Sequence, residues 1–439
     1  MRKEEILEIL ADWNLWAKGI DTGIRRERYV KLLVELLTKT DQIVCVSGVR
    51  RAGKSTILKQ LAAELAKTVG ARNTLIVNFE DERFYGRTLE LLRQIYETYL
   101  ERVYQAQNVK PFIFLDEVQE VEEWERFVRG LSERKEARLV VSGSSARLLS
   151  EEFATLLTGR HVTVSVYPLS FKEFLHFKGV EVRDELEALT KRIELKKLLY
   201  EYLEFGGFPE VVLSSEKKRI LLSYFETIVA RDVVERFRVR EREKLKTLAK
   251  YYLTNISSPI TFNSVSRFLK LPLTSVERFS AYLETANLII FLKRFSFSMK
   301  EQEKSPRKVY SIDLGLSNAI GFRFDRRLGR LAENAVLLNL KIQQSFDPEL
   351  EVYYSRDALG REVDFVVKKG PEVKQLIQVC WDPTDEETRK REVKGLMKAM
   401  EEFGLKEGLV LTEDFEGKEE INGKKIAYRP LWKWLLLCD

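Results

Sequence analysis

Gly48-Val49-Arg50-Arg51-Ala52-Gly53-Lys54-Ser55 is the stretch on which the reading of this chain turns. It satisfies G-x-x-x-x-G-K-[ST] in full, and its surroundings are the ones the pattern requires. An apolar run with Ile43, Val44 and Val46 reads as a buried strand before it, and Ile57 to Val69 reads as a helix after it. Gly48 and Gly53 let the main chain bend tightly around phosphates without a Cβ clash. The N–H groups of the loop, through Val49, Arg50, Arg51 and Ala52, then point at the anion together with the helix N-terminus. Lys54 is placed for the β- and γ-phosphates of ATP and the Ser55 hydroxyl for Mg²⁺. Thr56 sits beside the α-phosphate through its backbone.

Working outward, helix and strand alternate. Strands are predicted at Asn73 to Phe79, Pro111 to Leu115, Ala137 to Val141 and His161 to Tyr167, with helices between them. Such alternation predicts an α/β fold built on a parallel sheet covered by helices. Phe112-Ile113-Phe114-Leu115-Asp116-Glu117 is an apolar strand that delivers two acids at its carboxyl end. Asp116 there can hold the Mg²⁺ water shell, and Glu117 can orient or deprotonate the attacking water. A third apolar strand ends in Ser142-Gly143-Ser144-Ser145. Ser144 is the side chain chosen to reach the γ-phosphate or the lytic water; the alternative is an ordinary turn or helix N-cap.

The 439 residues correspond to about three domains at roughly 150 residues each. Hydrophobic residues at 44% exclude wholesale disorder. The 74 Lys and Arg against 68 Asp and Glu leave a net charge of +6, which permits a nucleic-acid partner without requiring one. Cys45, Cys380 and Cys438 form no CxxC pair, and His161 and His176 are the only histidines. A disulfide framework and a Cys or His metal site are therefore not expected. No apolar stretch approaches 18 residues and no signal sequence stands at the start, so a cytoplasmic protein without a membrane partner is expected. The apolar Leu431 to Leu437 is too short to span a bilayer and reads as a docked terminal segment.

Gly159-Arg160 precedes the last predicted strand, and Tyr167-Pro168-Leu169-Ser170-Phe171-Lys172-Glu173-Phe174 follows it. Together with Ser47 to Thr56, Phe114 to Glu117 and Val141 to Ser145, these motifs make the chain resemble the AAA+ ATPases, and more closely their archaeal-type branch, over most of its length, with residues 1–170 as the ATPase domain. The resemblance implies ATP and Mg²⁺ as cofactors and possible homo-oligomers. It also implies that Arg160 reaches the neighbouring subunit's ATP, where it would neutralise charge on the γ-phosphoryl group. The alternative for Arg160 is a surface arginine answering the helix dipole.

Residues 171–240 read as a helical lid, with a turn at Phe205-Gly206-Gly207-Phe208-Pro209. Residues 241–328 read as a winged helix-turn-helix, with helices at Leu245 to Asn255, Thr261 to Leu269 and Thr274 to Asn287. Leu288 to Phe297 and Lys308 to Ile312 are its wing strands, and Met299 to Arg307 is an exposed loop. The third helix offers Thr274, Ser275, Glu277, Arg278 and Ser280 to a DNA groove. Arg231 to Lys250 adds eight basic residues against four acidic ones for a phosphate backbone. Residues 329–439 resemble the PD-(D/E)xK nuclease-like domains fused to such ATPases, on Glu333, Asp364 and the strand Leu376 to Cys380. Gln378 stands where that pattern has its second acid and Cys380 where it has its lysine, so a vestigial site and an inactive binding domain are expected. DNA is the expected partner, and no partner protein is identified. An ATP-gated metal-dependent nuclease, or an ATP-switched binding module with little turnover, are the alternatives.

Overall fold

A computed structural model describes residues 1–105, 109–143, 159–321 and 328–437. The chain divides into two compact units, Met1–Val166 and Tyr167–Asp439.

In the first unit five strands form one parallel sheet: β1 (Ile43–Gly48), β2 (Thr74–Asn78), β3 (Phe112–Asp116), β4 (Arg138–Ser142) and β5 (His161–Val166), in the order β2-β3-β4-β1-β5. β1 to β4 are nearly continuous runs of buried residues, as strands covered on both faces must be. The expected strands are all present within a residue or two. Their order, which the sequence does not carry, places β4 between the phosphate-loop strand β1 and the acid-bearing strand β3. The helix Lys3–Trp13 packs Ile6, Ile9 and Leu10 into the same core as Leu75, Tyr99 and Ile113. Asn14, just beyond it, satisfies the open edge of β2. Its side-chain amide donates to Ile76 O at 2.8 Å and accepts from Ile76 N at 2.7 Å, as a neighbouring strand would.

The second unit contains a helical group, a three-stranded antiparallel sheet and a six-stranded mixed sheet. Ser170 opens the helix Phe171–Phe177 with a capping box closed by Glu173. The helices Arg242–Thr254, Phe262–Leu269 and Leu273–Thr285 alternate with β6 (Ser258–Ile260), β7 (Ile289–Leu292) and β8 (Arg307–Ser311), ordered β6-β8-β7. The segment expected to be a loop after β7 contains a short exposed helix, Met299–Lys304, capped by Ser298. The last sheet holds β9 (Leu350–Arg356), β10 (Glu362–Lys369), β11 (Glu372–Val379), β12 (Glu407–Thr412), β13 (Gly417–Ile421) and β14 (Lys424–Pro430). Its order is β13-β14-β12-β11-β10-β9. The terminal helix Leu431–Leu437 buries Trp432 and Trp434 in the core shared by this sheet and the helix Leu328–Phe346. Among the described residues no helix is long and apolar enough to cross a membrane.

Two turns in this unit interlock at backbone distance. Gly207 N donates to the buried carboxylate of Asp313 at 2.7 Å, and Leu169 N donates to Gly207 O at 2.7 Å. A Cβ at Gly206 would lie 2.1 Å from Asp313 Oδ1, and one at Gly315 would lie 2.1 Å from Phe205 O. The Gly206-Gly207 pair is therefore explained by the approach of residues 313–315, a contact that sequence spacing does not reveal.

Candidate functional site

The phosphate loop leaves β1 at Gly48, where the main chain passes against β5. A Cβ at Gly48 would stand 2.2 Å from Val166 O, so only glycine fits. Gly53 has φ 94° and opens the helix Lys54–Val69. Arg51 (φ 69°) and Glu117 (φ 50°) are non-glycine residues in the left-handed region, a conformation that costs roughly 1–2 kcal/mol each and that the surrounding packing must hold. Lys54 is buried, and its ammonium donates to Gly48 O at 3.1 Å and Val49 O at 3.3 Å, on the inner side of the loop. The loop is braced from behind by Arg26, which is buried and donates through Nη1 to Ala52 O at 2.9 Å. Gln60 holds that brace in turn: it accepts from Arg26 N at 3.0 Å and donates to Thr22 O and Ile24 O at 2.8 Å. The sequence gives one signal for Arg26, a basic residue directly before the amphipathic helix Glu27–Lys39, and that signal is too common to single it out.

Asp116 ends β3 and is buried. Burial, and after it the charge of Glu117, push its carboxyl above the usual range, while hydrogen bonds from Ser142 and Ser55 and the charge of Lys54 pull it back. Ser55 and Asp116, the two residues expected to hold Mg²⁺, are thus brought into hydrogen-bond contact. Oxygen donors around a buried acid short of positive charge fit a hard divalent cation. Ser142 Oγ donates to Asp116 Oδ1 and accepts from Glu117 N at 3.3 Å, so one hydroxyl ties both acids together. Gln119 Nε2 donates to Glu117 Oε2. Ser144, the serine expected at this strand tip, lies outside the described residues. The hydroxyl brought to the acids is that of Ser142, at the end of β4. Arg160 stands at the start of β5, half-exposed, and pairs with Glu133 at 2.7 Å.

Comparison with known proteins decides the family. The profile of the AAA domain matches residues 40–175, and two domains described as of unknown function match 196–327 and 328–432. The uncharacterized protein MJ1544 of Methanocaldococcus jannaschii is 34% identical over 426 residues, covering 94% of this chain and 92% of its own. An uncharacterized protein of Haemophilus influenzae is 31% identical over 422 residues, covering 94% and 98%. The chain belongs to this family of AAA-domain proteins. A Walker-type ATPase of Pyrococcus abyssi aligns with 68% of this chain and 96% of its own at 15% identity, with a TM-score of 0.46. The first unit is a P-loop ATPase domain of the AAA type, as its motifs imply.

A second polar group lies in the C-terminal module of this AAA-domain protein. Glu333, on the helix Leu328–Phe346, and Asp364, on β10, come together as expected, but around a lysine from outside the module. Lys308 of β8 puts its ammonium 2.8 Å from Glu333, 2.6 Å from Glu362 and 2.8 Å from Asp364. Tyr310, two residues along the same strand face, donates to Glu333 at 2.6 Å. Gln378 accepts from Asp364 N at 3.1 Å and donates to Glu392 at 2.6 Å. Cys380 belongs to the neighbouring apolar cluster with Val363, Val366 and Leu376, and burial pushes its thiol up to about 11. The ammonium that meets Glu333 and Asp364 is thus brought by β8 and not by the strand of Gln378. In sequence Lys308 is one of two adjacent basic residues that open a short strand, which does not single it out.

The middle module corrects two further expectations. Thr274, Glu277 and Arg278 are exposed on the helix Leu273–Thr285, but Ser275 and Ser280 face inward. Ser280 donates to Val276 O at 2.5 Å and shares a hydrogen bond with Tyr252 at 2.6 Å, so it belongs to the core. Arg236 is half-buried against the Phe237 ring, and Phe237 stacks on Tyr282 at 3.9 Å. Arg231, Arg238, Arg240, Arg242 and Lys250 are exposed.

Proposed function

We propose that this protein hydrolyses ATP with Mg²⁺ at the phosphate loop of its first unit and couples that cycle to duplex DNA held by its middle module. The observation that carries the first part is the convergence of Ser55, Asp116, Glu117 and Ser142 at the carboxyl end of one parallel sheet, beside a loop braced by Arg26. In this reading the loop N–H groups and Lys54 bind the phosphates, and Ser55 and Asp116 hold Mg²⁺. The bound ion supplies charge neutralisation on the transferred phosphoryl group. Glu117 accepts the proton of the attacking water as its oxygen bonds to the γ-phosphorus and the bond to the ADP oxygen breaks. Ser142 holds the Asp116 carboxylate and the Glu117 main chain, and Gln119 holds the Glu117 carboxylate. The pair between Arg160 and Glu133 lies on the surface, where such pairs contribute about 0–1 kcal/mol. Arg160 can therefore leave it at little cost and serve the ATP of a neighbouring copy.

Losing the ammonium in Lys54→Ala removes charged hydrogen bonds of about 1.5–3 kcal/mol, or roughly 10- to 150-fold in nucleotide affinity. Glu117→Gln keeps affinity and loses turnover. Nucleotide titration and phosphate release on both variants test this, and full turnover in Glu117→Gln overturns it. The DNA reading is supported by the helix-strand-helix-helix-strand order of residues 242–292, closed by a second wing strand at Arg307–Ser311 after a short helix, and by the exposed arginines before it. Binding through phosphates falls steeply with salt, and Arg238→Gln with Arg240→Gln reduces that slope by about two phosphate contacts. An unchanged slope removes this surface from the proposal.

A further inference from the structure

We infer that the ammonium group of Lys308 is a built-in cation, seated among Glu333, Glu362 and Asp364, that closes the C-terminal module's carboxylate group to divalent metal. Nucleases of the type this module resembles hold Mg²⁺ on clustered carboxylates and use a lysine to position water. The residues present do not fit that ion. An ammonium has three N–H donors, and Lys308 directs its charge at three carboxylates from 2.6 to 2.8 Å. Mg²⁺ requires oxygens at about 2.0–2.1 Å in near-octahedral array. An ion on these oxygens would share them with the Lys308 ammonium and meet its positive charge at short range.

Several neighbouring donors are also committed. Asp364 Oδ2 accepts from Val379 N at 2.9 Å, and Glu333 Oε1 accepts from Tyr310 as well as Lys308. The Gln378 carbonyl is held by Asp364 N, and the Cys380 thiol turns to Asp382 O at 3.8 Å. Among the described residues no group of three or more His, Cys, Asp or Glu side chains is arranged to hold a metal ion. Lys308 is buried, with only 1% of its side chain exposed. Burial opposes its charge, but Asp364, Glu333 and Glu362 outweigh that and hold it protonated. An open cleft of about 320 Å³ is lined by Glu333, Glu362 and Asp364 themselves, together with Arg361, Gln378 and Glu392. Solvent cations therefore reach these acids from the cleft side, while the oxygens that face Lys308 are already paired with its ammonium. The lysine comes from the three-stranded sheet and the acids from the next module, so the same contact fastens the two together.

The test is a Mn²⁺ titration of the full-length, nucleotide-free chain followed by electron paramagnetic resonance, with plasmid cleavage assayed alongside. Asp116→Asn separates any ion held at the phosphate loop. Wild-type protein is expected to show no Mn²⁺ that depends on Asp364, and no metal-dependent cleavage. Lys308→Met, checked by circular dichroism, is expected to gain one Mn²⁺ site at least tenfold tighter than anything in wild type. That site should disappear in Lys308→Met with Asp364→Asn. Lys308→Gln replaces it if the methionine variant does not fold, and wild type compared with Asp364→Asn decides without any Lys308 variant. A Mn²⁺ ion on wild type that Asp364→Asn removes, cleavage lost in Asp364→Asn, or a folded Lys308 variant that gains no site each overturns the inference.

Discussion

Gly315→Ala separates two physical effects that act with opposite sign. Gly315 lies in the first turn of the helix Leu314–Ile320, and glycine in a helix is disfavoured against alanine by up to about 1 kcal/mol. Helix propensity alone therefore predicts a more stable protein. The structure predicts the reverse. The new methyl would stand 2.1 Å from Phe205 O, 2.5 Å from Phe205 C and 2.9 Å from Leu221 Cδ1. Leu221 can rotate away, but the Phe205 peptide cannot. It leads into Gly206 and Gly207, which are held by Asp313 and Leu169. Relief needs a backbone shift of more than an ångström in a packed core, and overpacking of this kind costs about 1–3 kcal/mol or more. The propensity gain leaves a net loss of about 0–2 kcal/mol or more. For a unit of this size each kcal/mol lowers the melting temperature by about 2–4 °C. Thermal unfolding followed by circular dichroism, with urea unfolding as a second probe, measures the difference. A Gly315→Ala protein that melts above wild type would refute the interlocked-turn argument outright.

Three further outcomes are expected. Ser142→Ala leaves Glu117 N–H without its partner and frees Asp116, a loss of about 1–3 kcal/mol, so turnover falls roughly 5- to 150-fold while nucleotide affinity changes little; unaltered phosphate release in this variant would remove Ser142 from the site. Burial pushes Asp313 from 3.8 up to about 7, against the pull of the N–H groups of Gly207 and Leu316. The folded chain thus keeps a proton that the unfolded chain gives up, and this group's contribution is whole below about pH 4 and lost as pH rises through about 7. Asp313→Asn should flatten the decline of stability between about pH 4 and 7, and parallel profiles for the two proteins would contradict this. Arg160→Ala should bind ATP normally and lose about 10³ to 10⁵ in rate, with partial recovery on mixing with Lys54→Ala; turnover per chain that is independent of concentration, with no recovery in the mixture, would make Arg160 a surface residue.

The legible part of this protein was the part whose physics is local. A parallel strand covered on both faces must be apolar throughout, so β1 to β4 stand out as short hydrophobic runs. A phosphate loop carries its glycines, lysine and hydroxyl in consecutive positions, so the loop could be read residue by residue. What stayed hidden depends on which elements become neighbours. Ser142 bridges Asp116 and Glu117 because β4 packs between β1 and β3, and nothing in the spacing of the chain says so. Ser275 and Ser280 look like a polar helix face in sequence, yet Ser280 pays for its burial by bonding Val276 O and Tyr252. Reading Gln378 and Cys380 along one strand confined the search for an ammonium to β11, whereas it arrives from β8.

The two polar groups pose the same electrostatic problem and solve it differently. In each, carboxylates are taken out of water, and burial raises a member of the group: Asp116 in one, Glu333 up to about 8 in the other. Such groups need a positive charge at short range to remain ionised. In the first unit Lys54 directs hydrogen bonds into the loop at Gly48 and Val49, and Asp116 is met by the hydroxyls of Ser55 and Ser142, which bring dipoles but no net charge. A mobile cation that comes and goes with the nucleotide fits there, and its exchange makes the site a cycle. In the C-terminal module the charge is covalently attached and already in contact with three acids. It cannot leave without opening the sheet that carries it. The first arrangement suits turnover and the second suits permanence, which is why the reading proposed here assigns chemistry to the phosphate loop and a metal-free role to the C-terminal module.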